Sequence, residues 1–316
     1  MCQNNQTKVT EFVLLGFFSF QDFQILPFLL FLLFFIVILS ENFLIVLLIS
    51  VSQNLKHPMY TFLKNLALAD ILSTSNAVFP LLDVILRKMG RIHVYHCIFQ
   101  YYILCFSGFT QSLLLIVMSL DRYLAICHPL RYAMIMNPKN CLQLVCSSWF
   151  VAFILITSEI ILMYQLEFCE SNVIDHFFCD IAPILQLSTS NIALVSWYDF
   201  VLSLFMIFLA FMLVIVSYIC IIVAILRMSS VIGRRKAFST CSSHLAGVCT
   251  YYGTLVAIYL VPSSKNLRDE NKFRTLMYTV VTPIMNPIIY SFKNQEITGA
   301  MKKLFMYKKE KCKTLK

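Results

Sequence analysis

Seven long apolar runs divide the chain. Their approximate limits are Ile25–Ser50, Met59–Leu86, Cys97–Ile126, Cys141–Met163, Ile192–Leu226, Phe238–Val261 and Phe273–Phe292. Leu and Phe dominate them, and few carry the one-sided stripe of a soluble amphipathic helix. Runs of this length predict helices that are apolar nearly all round, as membrane spans are. A spanning β-barrel shows shorter segments of alternating polarity. The expected fold is therefore an all-α membrane protein, a seven-transmembrane helix bundle over residues 25–292. Residues 1–24 form a polar-to-mixed N-terminal segment and residues 293–316 a tail. In that tail Ile297, Met301, Leu304 and Phe305 are spaced for a short amphipathic helix lying on a membrane surface. No internal repeat is evident, which counts against an inverted-repeat transporter.

Composition agrees. The chain has 316 residues, 59% hydrophobic and 13% charged, against about 25% charged in soluble domains. With 7 Gly and 9 Pro, little of it is linker. The net charge of +9 lies in short loops and the tail, which fits contact with membrane lipids and argues against nucleic acid. Lys56, Arg131, Lys139, Arg227, Arg234, Arg235 and Lys236 lie in connections on one side, together with the tail lysines. The long connection from Tyr164 to Asn191 carries Glu167, Glu170, Asp175 and Asp180 and no Lys or Arg. This asymmetry predicts a multi-pass plasma-membrane protein with its tail cytoplasmic and its N-terminus extracellular; Arg87, Lys88 and Arg91 are outnumbered. Met1 to Phe20 lacks the basic start and apolar core of a cleavable signal. Asn5-Gln6-Thr7 is a glycosylation acceptor if that end is extracellular, and Cys312 is a candidate for acylation. The 12 Cys make no disulfide framework in a chain of this length; most sit in apolar runs as small packing residues, and no pair has zinc-ligand spacing.

One stretch stands out chemically: Met118 to Cys127, where Asp121 and Arg122 follow each other at the end of an apolar run. A charge at the centre of a bilayer helix costs about 2.5–3.5 kcal/mol on insertion scales. An adjacent acid and base at the cytosolic end of a span read either as a switch or docking site, or as a helix end snorkelling to the interface. Charge placement alone leaves both readings open.

Seven helices in this orientation with Asp121-Arg122-Tyr123 resemble a rhodopsin-like G-protein-coupled receptor. The resemblance covers nearly the whole chain. It includes Asn42, Leu66 through Asp70, Trp149, and Asn286-Pro287-Ile288-Ile289-Tyr290. A narrower set resembles odorant receptors: Leu55 through Tyr60, Met118 through Cys127, His176 through Asp180, Ser217-Tyr218, and above all Lys236 through Leu245. The resemblance implies a disulfide between Cys97 and Cys179. Three positions depart from the family pattern. Glu41 stands where Gly is usual, Gln111 where an acid is usual, and no Cys lies near Thr189, which leaves Cys169 without its usual partner.

The resemblance also implies where the sites lie. Leu104, Cys105, Gly108, Phe109 and Ser112 recur at helical spacing and would face a ligand cavity in the outer half of the bundle. Leu202, Ser203, Met206, Tyr252, Leu255, Val256, Tyr259 and Thr279 match it from other spans. Gly108 would leave room for the ligand, and Ser203, Tyr259 and Thr279 would hydrogen-bond a polar head group. Plain helix packing is the competing reading of each. Leu104 stands where amine receptors carry an acid, which argues against a biogenic amine anchored there, and the predicted seventh span has no Lys, which rules out a retinal Schiff base. A small, mostly neutral organic odorant is the expected ligand. Asp70, with Asn42 and Asn286, matches a polar network that binds sodium in many relatives; a carboxylate held only by hydrogen bonds is the alternative. Tyr218, Asn286, Pro287 and Tyr290 match activation machinery, and Tyr218 and His244 are candidate neighbours of Asp121-Arg122. The implied function is an odorant receptor that activates a stimulatory, olfactory-type heterotrimeric G protein and raises cyclic AMP. A non-olfactory chemosensory receptor of the same fold is the alternative, and a channel or transporter a weaker one. No enzyme motif and no cofactor is expected: His-x-x-x-His, Gly-x-Ser-x-Gly and Cys-x-x-Cys are all missing, and His93 and His96 would cap a helix end or meet solvent.

Overall fold

The computed structural model describes residues 8–17, 24–259, 270–292 and 296–303. Asn5, Leu304, Phe305 and Cys312 lie outside these residues, as do the side chains of Tyr259, Tyr290 and Lys236.

The chain is mostly helical. The first helices are α1 (Ile25–Val51), α2 (Pro58–Arg87) and α3 (Val94–Cys127), followed by a short α4 (Pro129–Ile135) and α5 (Pro138–Met163). Next come a short α6 (Ile181–Leu187), then α7 (Ala193–Leu204) and α8 (Ala210–Leu226), joined through a π turn at Phe205–Leu209. The remaining helices are α9 (Val231–Tyr259), α10 (Glu270–Leu276) and α11 (Thr282–Phe292), the last two joined through a π turn at Met277–Val281. Residues 296–303 are also helical. Among the described residues, α1, α2, α3, α5 and the continuous α7–α8 are long and apolar enough to cross a membrane.

Local chemistry sets several starts. Pro58, Pro129 and Pro138 open α2, α4 and α5, where a missing N–H costs nothing and φ is already helical. The Asn137 side chain caps α5 by accepting from the Asn140 N–H at 2.9 Å. His93 caps α3 as expected, its Nδ1 accepting from the Tyr95 N–H at 3.4 Å. The apolar runs end within a few residues of most helices. The largest difference is α9, which starts at Val231 rather than Phe238. A helix satisfies its own backbone and so continues past the apolar run; Arg234 and Arg235 sit exposed on that extension.

α3 lies at the centre, packed against α2, α5, α8 and α9. Its buried residues run from Val94 to Leu124, nearly its full length. α1, α5 and α7–α8 keep one face outward, with Leu33, Phe43, Phe150, Phe153, Phe200 and Phe208 exposed. In a membrane that face meets acyl chains.

One feature departs from an all-α fold. β1 (Glu11–Leu14) pairs antiparallel with β2 (Gly90–His93), Glu11 opposite His93 and Leu14 opposite Gly90, and parallel with β3 (Val173–Ile174). This sheet ties the N-terminal segment to the α2–α3 and α5–α6 connections and closes one end of the bundle. Phe12 and Leu14 fill its inner face. Just after β1, Gly16 has φ +65, and a Cβ there would collide with Val84. Its carbonyl accepts from Lys272 Nζ at 2.6 Å. The same ammonium pairs with Asp175 at 2.6 Å. Lys272 corrects one expectation: the last helical segment begins at Glu270, before Phe273, and so does contain a lysine. It belongs to this clasp and does not line the cavity described below.

At the opposite end, Ile297 is buried in the bundle and Glu296 accepts from Tyr60 Oη at 2.7 Å. The apolar side of helix 296–303 therefore packs at least partly on protein, with Ala300 and Met301 against the same core.

Candidate functional site

Beneath the sheet lies a cavity of about 80 Å3. At roughly 10–15 Å3 per water of such space, it holds several waters or a ligand of like size without side-chain movement. Eight of the residues expected there line it: Leu104, Cys105, Gly108 and Phe109 from α3, Leu202 and Ser203 from α7, Met206 from the π turn, and Leu255 from α9. Four do not. The Ser112 hydroxyl is spent on Tyr252 Oη at 2.9 Å, and both are buried in packing. Thr279 donates to the Thr275 carbonyl of its own helix at 3.0 Å. Val256 lies outside the lining.

Gly108 does not leave empty room. A Cβ there would strike Tyr278 Oη, and the Gly108 carbonyl accepts from Tyr251 Oη at 2.7 Å. The glycine lets two tyrosines approach α3, and Tyr278 becomes part of the cavity wall.

The wall also carries acids that the sequence reading missed. Glu159 of α5, Asp180 before α6 and Asp199 of α7 all line it. Glu159 is 1% exposed and accepts from Tyr101 Oη at 2.9 Å. Asp180 caps α6, accepting from the Ile181 N–H at 2.8 Å. The signal for Glu159 and Asp199 was present, since each is an ionisable residue inside an apolar run, a functional flag in itself.

The roof is held by a Cys97–Cys179 disulfide, as the resemblance implied. Cys169 corrects the expectation: it too is disulfide-bonded, and its partner is not among the free cysteines of the described residues. Beside the disulfide, His176 packs among Phe177 and Phe178, with ring centroids 4.7 Å away. Burial, then the nearby Lys272 charge, pushes the His176 imidazole down to about 3. An unfolded histidine titrates near 6.5, so the folded roof binds fewer protons. Stability therefore falls as pH drops from about 6.5 toward 3. Thermal unfolding of the purified protein should move to lower temperature across that window, and His176→Phe should flatten the dependence. A His176→Phe variant as acid-sensitive as the parent would contradict this.

At the other end, Arg122 donates through Nε at 2.9 Å and through a terminal nitrogen at 2.6 Å to one Asp121 oxygen. The other Asp121 oxygen accepts from Tyr132 Oη at 2.8 Å. Asp121 is fully buried and Arg122 is 9% exposed. Tyr123 turns away and pairs with His128 at 3.1 Å. Tyr218 Oη and His244 Nδ1 bond each other at 2.5 Å. Arg234 is exposed and donates to the Met228 carbonyl at 2.8 Å.

Between the two ends sits Asp70, fully buried. Gln111 donates to one of its oxygens at 3.1 Å and Asn286 to the other at 3.0 Å. Pro287 lacks the N–H that would bond the Pro283 carbonyl. Asn42 Nδ2 donates to that carbonyl instead, at 3.2 Å. Asn42 Oδ1, Thr74 Oγ1 and Asn286 Oδ1 are buried without partners among the described residues. Oxygen donors of this kind fit a sodium ion or ordered water.

A multi-pass helical bundle with a cavity at one end and a buried acid–arginine pair at the other is built as a membrane receptor. The chain belongs to the olfactory receptor family, whose pattern matches residues 31–308. It is 44% identical to human olfactory receptor 1S1 and 42% identical to human olfactory receptor 1S2, each over 96% of this chain and 94% of the relative. It is 40% identical to rat olfactory receptor 1 over 98% of both chains. It is an odorant receptor that acts through G proteins, and not an enzyme.

Proposed function

We propose that α9 and the α10–α11 segment complete a seven-span bundle, with the sheet end extracellular and the Asp121-Arg122 end cytoplasmic. The acidic α5–α6 connection at the sheet end and the basic residues at the other support this orientation. One opposing charge is reduced, since Arg87 pairs with Asp83 at 2.6 Å.

The odorant occupies the cavity beneath the sheet. The observation that carries the choice of ligand is the pairing of an apolar wall with Glu159, Asp180 and Asp199. Carboxyl oxygens accept hydrogen bonds, so the best ligand has a short apolar body and a donor head group, a hydroxyl or an amine. A hydroxyl keeps the ligand within the mostly neutral class expected from the sequence, and an amine goes beyond it. Binding biases a two-state bundle. The inner end of α9 moves outward, Arg122 is released from Asp121, and a stimulatory olfactory-type G protein engages and raises cyclic AMP. Pro287, Asn286 and Tyr290 form the bending part of the seventh span, and Asp70, Asn42, Thr74 and Asn286 are the residues that would hold sodium between the two ends.

The test is cyclic AMP in transfected cells across matched alcohols, amines and ketones of one carbon skeleton. Alcohols or amines should outperform the ketones. Glu159→Gln should weaken the best agonist about tenfold, the cost of one charge-assisted hydrogen bond of roughly 1.5 kcal/mol. Equal potency across head groups, or an unchanged response in Glu159→Gln at matched surface expression, would contradict this ligand class.

A further inference from the structure

A second and larger recess opens on the outer surface of the bundle, toward the Asp121-Arg122 end. Its volume is about 1040 Å3. The end of α1, the residues preceding α2, the first turns of α2 and the first half of α5 enclose it, with Phe106 of α3 at its floor. Two kinds of residue meet there. Lys56 and Lys64 stand at one side, with Thr61 and Asn65. Leu142, Val145, Trp149, Phe150 and Phe153 run along the other.

Neither lysine forms an ion pair among the described residues. Lys64 is half-buried and lies in the second turn of α2, inside a predicted span. An ammonium at that depth needs an anion or must snorkel to the interface. The apolar wall is outward-facing as well: Leu142 is 59% exposed and Phe150 62%. Pro138 to Phe153 extends roughly 22 Å at 1.5 Å per residue, enough to pass one leaflet's share of a ~30 Å core. Trp149 is fixed in place by its Nε1 donating to Asn65 Oδ1 at 3.1 Å and by Phe106 at 5.4 Å.

We propose that this groove is a binding site for an anionic phospholipid of the leaflet at the Asp121-Arg122 end. The phosphate and acidic head group sit between Lys56 and Lys64, and one acyl chain lies along Leu142 to Phe153. The two lysines select the class. A sterol presents a single neutral hydroxyl and leaves both ammonium groups without a counter-charge, and a zwitterionic head group brings no net charge. The site is separate from the odorant cavity, and shares no residue with it.

The experiment uses the purified full-length receptor, delipidated and returned to nanodiscs of phosphatidylcholine containing phosphatidylserine, cholesterol or neither. Retained lipid is counted by native mass spectrometry, and an acyl-chain photo-crosslinking phosphatidylserine reports where the chain lies. Phosphatidylserine should be retained over phosphatidylcholine by about twenty-five-fold, from two lysines each worth roughly fivefold at an anionic surface. Crosslinks should fall between Leu142 and Phe153. Lys56→Gln/Lys64→Gln should reduce retention to the phosphatidylcholine level. Cys146→Trp, which fills the groove and keeps both lysines, should lose the crosslinks. Equal retention of the two phospholipids, preferential retention of cholesterol, crosslinks elsewhere, full competition by soluble glycerophosphoserine, or a double variant that retains lipid normally would each overturn the proposal. Odorant-evoked cyclic AMP, measured in parallel, reports the separate ligand reading.

Discussion

Asp121→Asn is expected to raise basal cyclic AMP about tenfold at matched surface expression. Arg122 is held by two donated hydrogen bonds to one Asp121 oxygen, and Tyr132 fixes the other oxygen. Asp121 and Arg122 are buried and Tyr132 is half-buried, so water screens the pair little. The substitution keeps shape but removes the charge that makes these bonds strong, a loss of about 1.5 kcal/mol or more. That amount moves a two-state equilibrium roughly tenfold toward the state in which Arg122 is free. Tyr132→Phe loosens the same carboxylate from the far side and should act in the same direction with a smaller effect. Arg122→Ala should remove both basal and odorant-evoked signal. Basal cyclic AMP unchanged in Asp121→Asn would show that this pair does not hold the resting state. At the start of α9, at the same end of the bundle, Arg234 and Arg235 are exposed and no acid stands beside them in sequence to hold Arg122. Arg234→Glu supplies the missing acid and should lower basal signal.

Cys97→Ser should remove most receptor from the cell surface. The Cys97–Cys179 bridge spans 82 residues of sequence. In the chain-entropy account such a loop is worth roughly 4–5 kcal/mol, much of the 5–15 kcal/mol that typically holds a folded domain together. The bridge also fixes the roof: Phe178 and Asp180, its neighbours, line the cavity beneath the sheet. The Gln100 side chain accepts from the Cys179 N–H at 2.9 Å and gives a weaker second anchor. Surface labelling at two temperatures separates the contributions. Cys97→Ser and the double variant Cys97→Ser/Cys179→Ser should fail alike, and cooling should rescue both in part. Gln100→Ala should cost far less. Normal surface expression of Cys97→Ser at 37 °C would contradict the argument.

Much of the helical order was legible because membrane spans carry their signal in each local stretch. An apolar run has the same meaning whatever packs beside it, so α1, α2, α3, α5 and α7–α8 were found within a few residues. The sheet was not. β1 and β2 are four residues each and β3 only two, too short for a periodic pattern. Their pairing depends on chain segments about 80 residues apart (β1 and β2) and about 160 residues apart (β1 and β3) meeting in space. Glu159 was missed because the resemblance directed attention to α3 and away from the one acid in α5. Gly108 was placed correctly and explained wrongly, because the tyrosine that fills its space comes from a distant helix.

The sequence by itself determined the class of solvent, the run of spans, the odorant-receptor motifs and the Asp121-Arg122 pair. These follow from composition and local spacing, which burial in lipid translates directly into helices. Only the tertiary structure decided which predicted side chains share the cavity and which, like Ser112 and Thr279, are spent on packing bonds. It also decided that Asn42 serves the carbonyl released by Pro287, that Lys272 clasps the N-terminal segment, and that Lys56 and Lys64 face an apolar groove. Each of these is a meeting of residues far apart in the chain. A hydrogen bond or a charge pair reads distance in space, which one-dimensional spacing does not contain.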